Sequence, residues 1–334
     1  MSVYEIDVAI VGAGLSGLMA GRRLADSGIR VAIFESLSEV GGRTMTHTIG
    51  RGRADAGAQF FTVRTSVFGA FVEQWVKQGL VFEWSRGWSD GSAGDPIADR
   101  YPRYAVWGGF SNLAEYLASD LTIFRSFPVE SLSIHDERWT VTGPKLMPAV
   151  RARAVLLSVP VPSALSILAD GGVSLPEEER RILGPIRYHP CLCGLFEIDR
   201  GGKLPAIGAV QRPDENLSWV ADNLRKGVSV VSRTITVHAG HIASQAHWSM
   251  DDGEILAWMR AAMSEWFPED VRVTDARLVR WRFAVPLATH SERYLLSPID
   301  PLLIFAGDAF NGPRVEGAVL SGLAAADVML AKLS

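Results

Sequence analysis

The residues of this 334-residue sequence with the clearest chemical potential lie in its first 43 positions. Val8-Ala9-Ile10-Val11-Gly12-Ala13-Gly14-Leu15-Ser16-Gly17 is followed by Ile29-Arg30-Val31-Ala32-Ile33-Phe34-Glu35 and then by Gly41-Gly42-Arg43. Gly12 permits a tight turn after a buried strand, Gly14 lets the backbone approach a pyrophosphate, and Gly17 lets the next helix pack closely on the sheet. A helix beginning near Leu15 and Ser16 offers free N–H groups and a positive dipole end to phosphate. Glu35 stands 21 residues after Gly14, at the end of the second strand. A carboxylate there takes both hydroxyls of an adenosine ribose and disfavours a 2′-phosphate. Strand, turn, helix, strand and acid together predict a dinucleotide site, and Gly42 with Arg43 after the acid points to FAD rather than NAD.

A second segment of this kind closes the chain. Leu302–Phe305 is an apolar run ending at Ala306-Gly307-Asp308, and Gly312-Pro313-Arg314-Val315-Glu316-Gly317 leads into a small-residue helix over 318–330. Other reactive residue types carry less. His238, His241 and His247 match no common metal-ligand spacing, so no metal is expected. Ser16 does not lie in the G-x-S-x-G elbow of a hydrolase. Cys191 and Cys193, the two cysteines, stand one residue apart on an expected strand, share a face, and are badly placed for a disulfide. They read as small buried hydrophobes.

The elements that must position these residues follow from composition and pattern. The length calls for two domains, and 48% hydrophobic with 21% charged residues suits a globular chain with a sizeable core. A net charge of −4 and the lack of a Lys/Arg run give no field for nucleic acid. Neither a secretory leader nor an uninterrupted apolar stretch of about 18 residues is found, so no membrane association and a reducing, cytoplasmic location are expected. The chain opens with a βαβ unit over 6–35. Residues 55–61 suit a loop and short strand that approach something flat. Val67, Phe71, Trp75 and Val76 predict an amphipathic helix over 66–79. The glycines and prolines of 85–103 predict a mobile connection, and Ser111 after Gly108-Gly109 is expected to cap a helix over 111–118. Strands over 131–134, 139–142, 154–159, 191–198, 229–237 and 277–282, and a helix over 253–267, follow.

The glycine fingerprint with Glu35, Gly41-Gly42-Arg43, the run Asp55 to Phe61 with Thr62, Ser158-Val159-Pro160-Val161-Pro162, and Gly307-Asp308 with Arg314-Val315-Glu316-Gly317-Ala318 form a set. In these the chain resembles the FAD-dependent oxidoreductases of the amine-oxidase superfamily, and within them the renalase-like flavoproteins of bacteria. The resemblance implies an α/β fold: a discontinuous Rossmann-like FAD-binding domain with an inserted α+β substrate domain. The first is expected over 1–65, 104–162 and 296–334, the second over 66–103 and 163–295. The cofactor residues it implies are Gly12, Gly14, Leu15, Ser16, Gly17, Glu35, Gly42, Arg43, Gly57, Gln59, Phe60, Val129, Asp308, Val315, Glu316 and Gly317. Ser16 and Arg43 would meet the pyrophosphate, Val129 the adenine, Gln59 and Phe60 the flavin ring, and Asp308 the ribityl or phosphate end. The helix after Glu316 would aim its N-terminus at the flavin, where negative charge develops on reduction. With no cysteine near the C-terminus for attachment, the FAD is expected to be non-covalent.

For function, the resemblance implies hydride transfer from a small reduced molecule to flavin N5, then reoxidation by O2 to H2O2. The renalase-like substrates are isomeric 2- or 6-dihydronicotinamides of NAD(P). Such a substrate becomes aromatic on losing a hydride, so no side-chain acid or base is required, and Trp219, His238, Trp281 and Trp107 are the candidate pocket residues. Two alternatives stand beside this reading: a flavin amine oxidase or desaturase of a small apolar substrate, and a flavin-bound binding protein without turnover.

Overall fold

The computed structural model describes residues 4–90, 97–144 and 150–333, with the backbone alone at 97–100. In chain order the elements are β1 (Tyr4–Val11), α1 (Leu15–Ala25), β2 (Val31–Phe34), β3 (Thr46–Ile49), β4 (Gly52–Asp55), α2 (Ser66–Lys77), β5 (Val81–Trp88), β6 (Ile97–Val106), α3 (Phe110–Ala118), β7 (Ile123–Phe124), β8 (Ser131–His135), β9 (Arg138–Thr142), β10 (Val150–Leu157), α4 (Val161–Asp170), α5 (Glu177–Leu183), β11 (Tyr188–Ile198), β12 (Ala209–Gln211), β13 (Leu217–Asp222), β14 (Arg233–Ala239), α6 (His241–Ala246), α7 (Asp252–Ala262), β15 (Val273–Pro286), β16 (Leu295–Leu296), β17 (Leu302–Phe305) and α8 (Val315–Leu333). They divide into two units, Met1–Gly42 with Ala114–Tyr188 and Pro286–Ser334, and Arg43–Leu113 with His189–Val285.

The first unit is built on a sheet ordered β16-β17-β10-β1-β2-β7. From β17 to β7 every pairing is parallel. Strands in such a sheet are covered on both faces and must be apolar throughout, and Val8, Ala9, Ile10, Leu303 and Ile304 are wholly buried. Successive side chains alternate between the faces. Ile10 and Ile33 face α1, where Gly21 makes the room: a Cβ there would stand 2.8 Å from Ile33 Cδ1. Ala9 and Val11 join the opposite core, with Leu132 and Trp139 of the β8–β9 hairpin and Val161, Ala164 and Leu168 of α4. Pro160 and Pro162, which interrupt the apolar run in the sequence, supply the fixed φ with which α4 starts.

The second unit carries a five-stranded sheet ordered β12-β13-β14-β11-β15, and the hairpins β3–β4 and β5–β6. Strand β11 again alternates. Leu192 and Phe196 pack with Ile255 and Met259 of α7, while Cys193 and Leu195 pack with Ile49, Ala54, Ala56 and Trp281. The loop that follows β4 is therefore laid on the face of the sheet away from α7.

By compactness, 43–65 and 104–113 group with the second unit, and 163–188 and 286–295 with the first. Three expectations are corrected. Residues 85–88 and 97–103 are not a loose connection, because β5 pairs antiparallel with β6 from Val81↔Val106 to Trp88↔Ile97, through two register shifts. Gly91, Gly94 and Pro96, which contributed to that expectation, lie outside the described residues. Ser111 sits inside α3 rather than capping it, and its hydroxyl accepts the Thr46 N–H at 2.8 Å. The helix expected over 253–267 ends at Ala262.

Candidate functional site

In the first unit the glycine turn is shaped as a phosphate cradle. Gly12 has φ +101°, and a Cβ there would meet Val159 Cγ1 at 2.9 Å, so only glycine makes this turn without strain. A Cβ on Gly17 would overlap the Gly12 carbonyl oxygen and meet Ser158 Oγ at 2.7 Å, whereas one on Gly14 would meet nothing within 4 Å. The two outer glycines thus close the helix onto the strand, and the middle one opens the backbone to a ligand. Leu15 and Ser16 are buried in the first turn of α1, and Ser16 Oγ is a buried oxygen with no hydrogen-bond partner. Such an atom is costly unless a bound group satisfies it. The Glu35 carboxylate is held ready beside the turn: Oε2 accepts the Ala13 N–H at 2.9 Å, and Oε1 the Leu37 N–H at 3.0 Å and the Ser36 hydroxyl at 3.1 Å. Gly42 lies beside Gly14, its would-be Cβ 3.6 Å from Gly14 Cα. Val129 is two residues beyond Phe127, whose N–H donates to the Glu35 carbonyl at 2.8 Å.

The C-terminal segment completes this unit. Gly307 N–H donates to Ser321 Oγ at 2.8 Å, which ties the end of β17 to α8. Asp308 and Glu316 are buried, as is Val315. Glu316 stands in the first turn of α8, where the helix dipole favours an acid. A Cβ on Gly317 would overlap the Gly312 carbonyl oxygen, and one on Gly322 would overlap the carbonyl oxygen of Ser16. Helix α8 is thereby packed backbone to backbone on the residue that starts the cradle.

In the second unit the loop Asp55–Phe60 is fastened by side chains at the carbonyls of Asp55, Ala56 and Gly57. The Asp55 carbonyl accepts Gln59 Nε2–H at 2.7 Å and the Thr236 hydroxyl at 2.9 Å. The Ala56 carbonyl accepts Trp281 Nε1–H at 2.9 Å and faces His238 Nε2 at 3.0 Å. Because a carbonyl only accepts, His238 carries its proton on Nε2. Burial holds that imidazole neutral, pushing its pKa down to about 4, against the smaller opposing effect of the Ala56 bond. Gly57 is packed so tightly that a Cβ would overlap the Arg43 carbonyl oxygen, which also accepts the Ala58 N–H at 2.9 Å. The Arg43 guanidinium donates to the carbonyls of Phe283 and Ala284 at 3.1 and 3.2 Å. Phe60 leaves the loop into an aromatic cluster, with ring centroids 4.9 Å from Trp88 and 5.6 Å from Trp219. Trp84 lies 4.7 Å from Trp88.

Beneath the loop is a group that the sequence reading missed. Lys226 and Asp55 are both 0% exposed, and Lys226 Nζ donates to Asp55 Oδ2 at 2.7 Å. Asp55 Oδ1 accepts the Thr46 hydroxyl at 2.6 Å and the Phe110 N–H at 2.9 Å, so this acid satisfies the first amide of α3. Burial pushes the Lys226 amine down, and Asp55 pulls it back up. Arg225-Lys226-Gly227 reads in sequence as a charged surface turn, and only the fold carries it to an acid 171 positions earlier.

Three of the four pocket candidates, Trp219, His238 and Trp281, converge on this loop, as Trp219 Nε1–H donates to Gln59 Oε1 at 3.2 Å. Trp107 does not join them. It is 50% exposed and stacks on Phe82 at 4.1 Å. The three histidines of 238–247 go separate ways: His247 Nδ1 faces the Ala243 carbonyl, and His241 lies against His189. Burial drives the Cys191 thiol up to about 12 and that of Cys193 well above its ordinary value, so both are inert thiols.

With this geometry in place, comparison with known proteins defines the class. Residues 10–75 match the NAD(P)-binding Rossmann-like domain family, and residues 93–330 match the flavin-containing amine oxidoreductases. The chain belongs to the flavin-containing amine oxidoreductase family, a family of oxidoreductases whose cofactor is FAD. Putrescine oxidase of Kocuria rosea is 39% identical over 73 residues, which is 22% of this chain and 15% of that protein. The chain spans 8–15% of the length of the curated amine-oxidase relatives it matches. The fold is also that of putrescine oxidase bound to putrescine (TM-score 0.69, 17% identity, 99% of this chain and 100% of the other) and of cyclohexylamine oxidase from Brevibacterium oxydans (TM-score 0.70, 14% identity, 98% and 99%). The first unit suits FAD on its own observations: the open face of Gly14, the unsatisfied Ser16 hydroxyl at a helix N-terminus, and the fixed Glu35 carboxylate. No helix among the described residues is long and apolar enough to cross a membrane.

Proposed function

We propose that the protein is a renalase-like oxidase that takes a hydride from an isomeric (2- or 6-) dihydronicotinamide of NAD(P), with O2 as acceptor and H2O2 as product. Gly14, Ser16 and Glu35 would hold the pyrophosphate and ribose of a non-covalent FAD, with Gly12, Leu15, Gly17 and Gly42 shaping the turn. Arg43, Val129, Asp308, Val315, Glu316 and Gly317 would surround its remaining length, and Gly57, Gln59 and Phe60 would lie toward the ring. Bound FAD supplies the hydride acceptor and returns the two electrons to O2.

The observation that carries this reading is the state of the titratable groups around the anchored loop. Burial holds His238 neutral, and its Nε2–H donates to the Ala56 carbonyl. Lys226 is engaged by Asp55 and Gln59. The indole N–H groups of Trp219 and Trp281 are donated to Gln59 and Ala56. These polar atoms are committed to holding the loop. A dihydropyridine, which aromatises when it loses a hydride, asks for nothing more than a held ring. A second reading, oxidation of a small amine, is supported by the family match and by the likeness to putrescine oxidase and cyclohexylamine oxidase.

The test is anaerobic mixing of the FAD-loaded protein with 6-dihydroNAD, 2-dihydroNAD, ordinary NADH and a panel of primary amines, while following the oxidised-flavin band. Fast bleaching by an isomeric dihydronicotinamide but not by NADH, with peroxide on admitting air, is expected. Bleaching by amines alone would replace this reading with the second, and tight ligand binding without any bleaching would make the protein a non-catalytic flavoprotein.

A further inference from the structure

The side chain of Gln59 is fully committed within the protein. An amide offers two N–H donors and an oxygen with two lone pairs. Both donors are used, on the carbonyls of Asp55 at 2.7 Å and Gly57 at 3.1 Å. The oxygen accepts from Trp219 Nε1–H at 3.2 Å and from Lys226 Nζ at 3.3 Å. Turning the amide over would set its NH2 against two donors and its oxygen against two carbonyls. The orientation is therefore single, and it clasps the loop from Asp55 to Gln59 into one turn. Lys226 has no slack either. Its ammonium donates to Asp55 Oδ2 and to Gln59, and it faces the rings of Trp84 and Phe110 at 5.2 and 5.7 Å.

Stability does not call for a charged pair at this place. A buried ion pair can often be exchanged for apolar residues of similar volume without loss, whereas its charges and donors fix a unique arrangement around them. We propose that Lys226 is a positioning residue: paired to Asp55, it fixes the Gln59 amide and through it the backbone of Gly57–Phe60. This rests on the reading that these residues face the flavin ring. The lysine touches neither cofactor nor substrate and acts through Gln59.

The experiment compares Lys226→Met, the neutral double variant Lys226→Met/Asp55→Asn, and Phe60→Leu, a direct probe of the loop. Each is purified with FAD, and the readouts are Tm, visible flavin circular dichroism, the flavin midpoint potential, and kcat and KM separately. Lys226→Met is expected to lose thermal stability because Asp55 is left buried without its counter-charge. The double variant is expected to recover Tm to near wild type, yet to keep an altered flavin dichroism and a kcat at least tenfold down. If dichroism, potential and kcat return together with Tm in the double variant, the pair is merely structural and the proposal falls. If Phe60→Leu moves the flavin signals while neither Lys226 variant does, the proposal falls and the FAD reading stands. If FAD is bound and none of the three moves them, the loop does not face the flavin, and that reading falls with the proposal. Should Lys226→Met fail to fold, the double variant together with Phe60→Leu makes these distinctions.

Discussion

Gly322→Ala is a small substitution with a large expected consequence. On an exposed helix the change would stabilise by about 0.5–1 kcal/mol through propensity. Here the new methyl would stand 2.9 and 3.0 Å from the carbonyl carbon and Cα of Ser16, and closer still to the carbonyl oxygen. All three are backbone atoms of α1, so no side chain can swing away. Restoring ordinary contact requires α1 and α8 to part by roughly 0.5–1 Å, a gap that forfeits a quarter to a half of the dispersion energy of each affected contact. Overpacking of this kind costs about 1–3 kcal/mol. A net loss of about 1–2 kcal/mol lowers Tm by roughly 2–8 °C in a domain of 150–250 residues. Because the displaced residue is Ser16, FAD affinity should fall as well, tenfold for each ~1.4 kcal/mol transmitted to the cradle. Thermal unfolding of the apoprotein and fluorescence titration with FAD measure the two effects. A Tm raised above wild type, as propensity alone would give, refutes the claim that α1 and α8 are in backbone contact at this point.

Two further predictions bear on the site. Ser16→Ala removes a hydroxyl that no protein group satisfies, so the apoprotein should keep its Tm, while FAD affinity drops about tenfold or more through loss of a charge-assisted bond. An unchanged affinity would remove Ser16 from the cradle. His238 has a folded-state pKa of about 4, below the ordinary 6.5, so the unfolded chain takes up the proton first. Its contribution is present above pH 6.5 and is lost as pH falls toward about 4. Urea midpoints should decline over that window, and His238→Gln should flatten the decline. A wild-type profile that is level from pH 6.5 to 4 would contradict it.

What the sequence discloses and what it withholds divide along physical lines. The cradle is local: Gly12, Gly14, Gly17 and Glu35 lie within one βαβ unit, and their spacing carries the geometry directly. The aromatic and histidine candidates Trp219, His238 and Trp281 meet at one loop, where their polar atoms anchor residues 55–59, a role set by pairing between distant strands. Lys226 is invisible because charge and an adjacent glycine are also the marks of a solvated turn, and its acid lies on another hairpin. The pairing of β5 with β6 is hidden by Gly87 and Pro102 and by two register shifts, which break the alternation that announces a strand. Ser111 looks like a cap because of its type and position, yet the acceptor at the start of α3 comes from Asp55, 55 positions earlier.

The interleaving of the two units sets an order of events during synthesis. Strand β1 is finished within the first dozen residues, but its sheet is completed by β10 and then by β17, and α8 closes over α1 last. At about 5–20 residues per second, the glycine turn waits roughly 15–60 s for the helix that packs against Ser16. The second unit waits similarly, because Asp55 is made long before Lys226 can reach it. Neither unit can be completed by the early part of the chain alone, so FAD capture is a late step. Until then the nascent chain carries the apolar faces of β1, β2 and α1 uncovered. Slowed translation before residue 302 should therefore favour aggregation over cofactor loading.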